Sequence, residues 1–225
     1  MYKRQDHRFL KTAFDTSIFT DYARFEVQFG NVKRPTARNT TVEQAKFEVL
    51  NHKYTDLSES RYGAALLNDC KYGISVEGGQ MRLSLHKGGC RPDYKGDHGV
   101  HDCVYAFLPH QGAFDVNHVV KPAYQLNYPP VLAGKAFTAL PLALPEAENI
   151  LVETIKPCED EARAFIVRLY EAEGAFTNTP VRFFAGAKSA AICNMLEEPQ
   201  EGLEDLAKVS LCFHPFEIKT LRVTY

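Results

Sequence analysis

Residues 68–73 read Asn68-Asp69-Cys70-Lys71-Tyr72-Gly73 and bring an amide, a carboxylate, a thiol, an amine and a phenol into one short stretch. Donors and acceptors packed this closely suit the recognition of sugar hydroxyls. A site built to bond hydroxyls loses much when one of its partners is removed. The plainer reading is a solvated turn with an aromatic ring tucked beneath it, and position alone favours that reading.

Three other groupings could carry chemistry. His98, His101, Cys103 and His110 are close enough in sequence to suggest zinc, but a structural site needs four convergent ligands, usually in two close pairs. His101 and Cys103 share a strand parity while His98 lies in a glycine-containing loop, so no metal ligand set is assigned. Asp69, Asp93, Asp97, Asp102 and Glu217 are acid–base candidates, but sequence does not reveal which face each other at the spacing that glycoside hydrolysis needs. Tyr62, Tyr72, Tyr94, Tyr105 and Tyr124 alternate with polar residues and offer ring faces for stacking on sugars, although such rings more often fill cores and interfaces. No G-x-S-x-G elbow, P-loop or dinucleotide fingerprint is present. No catalytic residue is therefore assigned.

The elements that must hold these residues read as strands. Ala64-Ala65-Leu66-Leu67 is a short continuous apolar run, as in a strand buried on both faces. Met81, Leu83 and Leu85 alternate with Arg82, Ser84 and His86, and Gly78-Gly79 just before them supplies positive φ for a hairpin. Residues 68–73 form the loop beside this hairpin, where binding residues tend to lie. Upstream, Phe25, Val27 and Phe29 define a half-buried strand ending at Gly30. Residues 31–41 read as a cationic polar connection, 47–49 as a strand and 55–61 as turns using Asp56 and Ser58. Downstream, 87–99 reads as a surface loop, 104–108 as an interior strand, and 119–126 as a strand broken by Pro122. Pro129, Pro130, Pro141 and Pro145 mark a domain boundary. Beyond it, 150–155, 165–170 and 181–184 are β-type runs, the later two punctuated by Gly174 and by Asn178-Thr179-Pro180. Residues 187–198 suit either helix or strand. The parity flips near Pro215 and before Leu221 require a bulged edge strand or two successive strands. With no long amphipathic helix, the fold class is all-β.

Composition narrows the classes. The chain has 225 residues, 45% of them apolar and 24% charged, with a net charge of −2. That is ordinary for a globular protein and gives no footprint for nucleic acid. No apolar run is long enough for a membrane span, and no apolar segment follows the charged start, so neither a membrane partner nor a signal peptide is expected. Cys70, Cys90, Cys103, Cys158, Cys193 and Cys212 form no C-x-x-C pair. They read as reduced thiols in a cytoplasmic protein.

Several segments, in one unbroken order, carry a resemblance. His7-Arg8-Phe9-Leu10-Lys11, Phe25-Glu26-Val27-Gln28-Phe29-Gly30 and Arg34-Pro35-Thr36-Ala37-Arg38-Asn39-Thr40 open it. Ala65-Leu66-Leu67-Asn68-Asp69-Cys70-Lys71-Tyr72-Gly73 is the sharpest signature, and Pro215-Phe216-Glu217-Ile218-Lys219-Thr220-Leu221-Arg222 closes the series. Together they resemble the C-terminal β region of glycoside hydrolase family 38 α-mannosidases of the bacterial and fungal cytosolic or vacuolar type. Ala37, where the family pattern has His, and His86-Lys87-Gly88-Gly89-Cys90 depart from it.

The resemblance implies the later part of a large β-sandwich (a supersandwich like that of galactose mutarotase) over residues 6–128, a linker over 129–144, and a small terminal β-sandwich over 145–225. It implies a retaining exo-α-mannosidase whose Asp nucleophile, general acid and divalent zinc or cobalt belong to an N-terminal barrel. This chain, read as a truncated frame, would then lack catalytic residues, metal ligands and any cofactor of its own, and would be inactive alone. Its expected partners are that barrel, a mannoside and further copies in a homo-oligomer. Asn68, Asp69, Lys71, Tyr72 and Gly73 become candidates for the substrate rim or the barrel contact. The alternatives from other classes are a free-standing carbohydrate-binding β-sandwich module and a purely structural assembly domain.

Overall fold

The structure is a computed structural model that describes residues 9–225 apart from 90, 91, 94, 97, 133 and 135–142. Expectations placed on residues 1–8, Cys90, Tyr94, Asp97 and Pro141 lie outside the described residues. The chain divides into two compact units, Met1–Pro130 and Val131–Tyr225.

The first unit runs β1 (Phe9–Asp15), β2 (Tyr22–Val27), β3 (Gly30–Pro35), a short helix α1 (Thr41–Ala45), β4 (Val49–Leu50), β5 (Tyr54–Ser58), β6 (Tyr62–Asn68), β7 (Gly73–Glu77), β8 (Gln80–Lys87) and β9 (Tyr105–Gln111). A π-helical turn, Val116–Val120, then passes into α2 (Lys121–Asn127). Two antiparallel sheets form, in the orders β1-β8-β7-β4 and β3-β2-β5-β6-β9. Their inner faces share one core: Phe25, Leu57, Ala64 and Leu66 from the five-stranded sheet, Ile74, Met81 and Leu83 from the other. Full burial of each large aliphatic side chain contributes roughly 1.5–3 kcal/mol. The hairpin between β7 and β8 turns at Gly78, whose φ of 54° is the left-handed conformation expected there.

The helical segment corrects one expectation and explains another. Residues 119–126 are not a strand. Asp115 caps the segment, its Oδ1 accepting from His118 N at 2.7 Å, and Pro122 sits in the first turn of α2, where the π-helical turn gives way to the α-helix. Val116, Val119, Val120 and Ala123 are buried, and α2 packs on β6. β6 is therefore covered on both faces, by the core through Ala64 and Leu66 and on the side of Ala65 and Leu67 by this cover.

Other expectations also change. Residues 31–35 belong to β3, paired with β2 from Tyr22↔Pro35 to Val27↔Gly30, so the cations stand on an edge strand. β2 itself ends at Val27, with Phe29 taking the positive φ of the turn. Of 47–49 only Val49 is in a strand. Asp56 and Ser58 lie in β5, where Ser58 Oγ donates to Asp56 Oδ2 at 2.7 Å. Among the described residues β9 pairs only with β6, and it is an edge strand with alternate exposure, not an interior one. The strand β7 was hidden in the sequence because Gly73 and Ser75 interrupt its apolar run.

The second unit contains β10 (Ala143–Pro145), β11 (Ile150–Pro157), β12 (Ala164–Glu171), β13 (Thr177–Phe183), β14 (Ser189–Cys193), β15 (Pro199–Leu203), β16 (Ser210–Phe213) and β17 (Ile218–Thr224). Sheets β10-β13-β16 and β11-β12-β17-β14-β15 enclose Phe165, Val167, Leu169, Phe213, Leu221 and Val223. Residues 187–198 resolve as a strand and a turn, and the tail as two successive strands. Asn178, Thr179 and Pro180 do not punctuate a strand but lie inside β13, where the Pro180 carbonyl still accepts from Glu146 N. Among the described residues the protein is all-β apart from the short helical turns of the first unit.

Candidate functional site

The connection from β6 to β7 is built by its own side chains. Asn68 ends β6 and is buried; its Oδ1 accepts from Lys71 N at 2.7 Å and its Nδ2 donates to the His52 carbonyl at 2.6 Å. This is the local bond by which Asn shapes turns. Asn127 Nδ2 donates to the Asn68 carbonyl at 3.0 Å, and the Tyr72 carbonyl accepts from Asn51 N at 3.0 Å. Asp69 continues the ladder to β9: its N–H donates to the Val104 carbonyl at 3.1 Å and its Oδ1 accepts from Val104 N at 3.0 Å. A hydrogen bond from the Cys70 thiol leads the causes that hold the Asp69 carboxyl below its ordinary pKa, and burial followed by that same contact pushes Cys70 up to about 11. Cys70 is thus a thiol and not a nucleophilic thiolate at neutral pH.

With Asn68 buried and Asp69 bonded to the start of β9, the exposed Cys70 and Tyr72 and the half-buried Lys71 and Gly73 form the accessible part. Tyr72 is 51% exposed and meets the His52 ring edge-on, 5.0 Å between centroids. An open cleft of about 220 Å³ lies between Gln28, His52, Lys53, Tyr72, Asn127 and Tyr128. Beneath it Glu26 is 3% exposed. Its Oε1 receives Lys53 Nζ at 2.6 Å and its Oε2 accepts Lys53 N at 2.7 Å. Burial opposes the Lys53 charge, but Glu26 outweighs it and the ammonium is held more firmly than usual. Lys53 Nζ also stands 4.6 Å from the centre of the Tyr124 ring, which stacks with Tyr128 at 5.8 Å. The result is a fixed cation beside aromatic faces at one opening, with the carboxylate that holds the cation buried.

Of these, Glu26, Gln28 and Asn127 stood in segments of the family resemblance without being singled out as site residues, and His52, Lys53 and Tyr128 carried no signal in the sequence. Glu26 stands on the wet parity of β2 and is buried where the 52–53 backbone and the Lys53 side chain close on it. His52 and Lys53 follow a strand with no motif around them.

The remaining candidates have other partners. His110 Nε2 lies 2.8 Å from Asp56 Oδ1, both side chains being buried, and stacks on His118 at 6.2 Å. His101 is 4.9 Å from the His86 ring, and the Asp102 carbonyl faces the Cys70 thiol. Asp93 accepts from Lys95 N, and Glu217 joins Lys219 Nζ at 2.6 Å while accepting from His214 N. Tyr62 donates to the Ser17 carbonyl, and Tyr105 meets Phe14 edge-on. Among the described residues no three His, Cys, Asp or Glu side chains gather as a metal would need. The five described cysteines are free thiols.

Comparison with known proteins follows the same division of the chain. Residues 3–95 match the model "Glycosyl hydrolases family 38 C-terminal domain", and residues 149–221 match "Glycosyl hydrolases family 38 C-terminal beta sandwich domain". The chain belongs to glycoside hydrolase family 38. It corresponds to the family's C-terminal region. Alpha-mannosidase 2C1 of Homo sapiens is 38% identical over 96% of this chain, and Alpha-mannosidase G of Dictyostelium discoideum is 39% identical over 96%. Alpha-mannosidase of Saccharomyces cerevisiae is 33% identical over 97%. The chain spans only 22%, 21% and 22% of these relatives' lengths, respectively. An α-mannosidase structure from Enterococcus faecalis V583 superposes with a TM-score of 0.70 over 94% of this chain and 25% of its own, at 19% identity, a likeness of fold alone. No helix among the described residues is long and apolar enough to cross a membrane.

Proposed function

We propose that this family 38 chain acts as the C-terminal, non-catalytic portion of a retaining exo-α-mannosidase that removes terminal α-D-mannose. The observation that carries this reading is the continuous similarity to three proteins named α-mannosidases, over 96% of the chain and only about a fifth of each relative. In this reading the nucleophile, the general acid and a zinc or cobalt ion belong to a barrel within the roughly four fifths of the relatives' length that this chain does not span. We place the large sandwich portion at 6–128, a linker at 129–144 and the small sandwich at 145–225, in a cytoplasmic enzyme able to self-associate. The role of this region is to buttress the barrel. Asn68, Asp69, Lys71, Tyr72 and Gly73 line the rim or the barrel contact, with Lys71 and Tyr72 facing outward and Asn68 and Asp69 fixing the loop from within.

The test is hydrolysis of an aryl α-mannoside. The 225-residue chain alone is expected to give none, with or without zinc or cobalt, whereas the longer polypeptide turns over and loses activity when this region is deleted. Turnover by the chain alone, or full activity without it, overturns the proposal. Saturable mannose binding by an inactive chain with no effect on the longer polypeptide would favour the free-standing carbohydrate-binding module.

A further inference from the structure

A second cleft, of about 350 Å³, opens on the first unit beside the edge strand β3. That volume falls at the lower end of small-ligand pockets. Four cations line it, Lys33, Arg34, Arg38 and Lys46, against one carboxylate, Glu43. The balance is uneven because Glu43 has other work. Its Oε2 accepts from Asn39 N at 2.7 Å and from Thr40 N at 2.9 Å, the capping box that starts α1. Arg38 Nη1 meets Glu77 at 3.3 Å. Among the described residues no carboxylate oxygen comes within ion-pair distance of Arg34, Lys33 or Lys46, although Lys46 is near enough to Glu43 to favour its charge.

Arg34 is the informative group. Its guanidinium is half-buried, packs 4.7 Å from the centre of the Phe25 ring, and donates through Nη1 to the Leu50 carbonyl at 3.0 Å. Burial lowers its pKa, the signature of a cation removed from water without a counter-charge. A guanidinium held by a ring face and one carbonyl keeps its other N–H groups in a fixed fork, the geometry that suits a planar or tetrahedral oxyanion. Arg38 is similarly held, with Nη2 donating to the Phe47 carbonyl at 3.2 Å. Pro35 and Leu50 give the same cleft an apolar wall.

We infer that this cleft binds a phosphoryl group, held by Arg34 and Arg38 with Lys33 and Lys46 at the mouth, with room beside it for a sugar-sized substituent. Two sources share this chemistry: inorganic phosphate and a phosphate monoester of a hexose. The site is separate from the opening at Tyr72, and its occupancy does not depend on mannoside hydrolysis.

Calorimetric titration of the 225-residue chain at constant ionic strength tests the inference with three probes: inorganic phosphate, a hexose 6-phosphate and the free hexose. At least one phosphate is expected to saturate with a Kd below about 10 mM, and the free hexose to give no heat that Arg34→Gln removes. Tighter binding of the monoester identifies it as the ligand, and equal or tighter binding of inorganic phosphate identifies the simple anion. Arg34→Gln and, separately, the exposed Lys33→Gln should weaken the phosphate roughly tenfold and threefold, while Lys208→Gln in the second unit changes nothing. Lys33→Gln is the control for folding, because its side chain stands at the surface. Absence of saturable binding by both phosphates overturns the inference, as does binding that survives both substitutions unchanged.

Discussion

The two units bury charge for opposite purposes. In the second, Glu171 is completely buried and all of its acceptor capacity goes into the fold: Oε1 accepts from Asn149 Nδ2 at 3.0 Å and Glu173 N at 2.8 Å, Oε2 from Gly174 N at 2.7 Å and Phe216 N at 3.0 Å. It ties the end of β12 to the turn before β17, where Phe216 takes a φ of 61°. In the first unit, Glu26 and Asp56 are also buried but hold ionisable side chains, Lys53 and His110, and Lys53 lines an open cleft. The Glu171 carboxylate accepts three of its four hydrogen bonds from backbone N–H groups and ties a turn, whereas Glu26 divides its oxygens between the Lys53 backbone and the Lys53 ammonium beside a cleft. Buried charge thus reinforces the second unit and holds a cation at an opening in the first.

The largest test of this contrast is Glu171→Leu. Three backbone N–H groups and one amide lose their acceptor, and buried donors left unsatisfied cost about 1–3 kcal/mol each, without full additivity. A loss of roughly 4 kcal/mol is expected in the second unit, read as faster hydrogen exchange of β12 and β17 amides with β6 and β8 unchanged. Equal loss in both units, or under about 1 kcal/mol, would break the comparison.

Gly63→Ala probes the first unit. A Cβ at Gly63 would stand 2.5 Å from the His110 ring and 2.5 Å from Ser58 Cβ. Overpacking of this kind costs about 1–3 kcal/mol, so the urea midpoint of the first unit should fall accordingly. An unchanged midpoint would mean that the buried Asp56–His110 pair is not held as tightly as its 2.8 Å contact implies.

Within residues 68–73 the inward and outward members should separate. Asp69→Ala removes the acceptor for Val104 N and should lower stability by about 1 kcal/mol. Lys71→Ala and Tyr72→Ala should leave the melting temperature unchanged yet reduce kcat/KM of the longer polypeptide by about tenfold, or 1.4 kcal/mol. Identical behaviour of all three would remove the distinction and, with activity intact, the site.

The smallest effect concerns pH. Burial works against the His110 imidazolium, but Asp56 outweighs it, and the pKa rises above the ordinary 6.5. A pKa raised by folding contributes stability fully below 6.5 and loses it as pH climbs through the folded value. His118 and Asp115 are the other titrating groups near the pair. The first unit should therefore unfold more readily at about pH 8 than at about pH 6, and His110→Gln should flatten that slope. A slope of opposite sign, or one unchanged by the substitution, would separate His110 from it.

Strand identity was legible wherever one rule governed the residues. Met81, Leu83 and Leu85 alternate because β8 has one dry face, and Ala64 to Leu67 are uniformly apolar because β6 has two. Gly78 marks its turn because only glycine takes that φ without strain. The outward position of Tyr72 follows from a local bond, Asn68 Oδ1 to Lys71 N, that lies within the signature itself.

What covers β6 was not legible. Residues 119–126 have the composition of a strand, and only packing against Ala65 and Leu67 makes a helix with its first turn at Pro122 the better way to bury Val119, Val120 and Ala123. Glu26, on the wet parity of β2, becomes a buried anchor for Lys53 because the chain at residues 52–53 folds onto it. Sequence by itself determined the all-β class, strands such as β2, β6, β8 and β12, the Gly78 turn and the family, because these rest on local periodicity, backbone conformation and ordered motifs. Tertiary structure alone decided which polar residues meet, since Glu26 with Lys53, Asp56 with His110 and Arg34 with Phe25 are brought together by sheet register and layer packing, which no local pattern encodes.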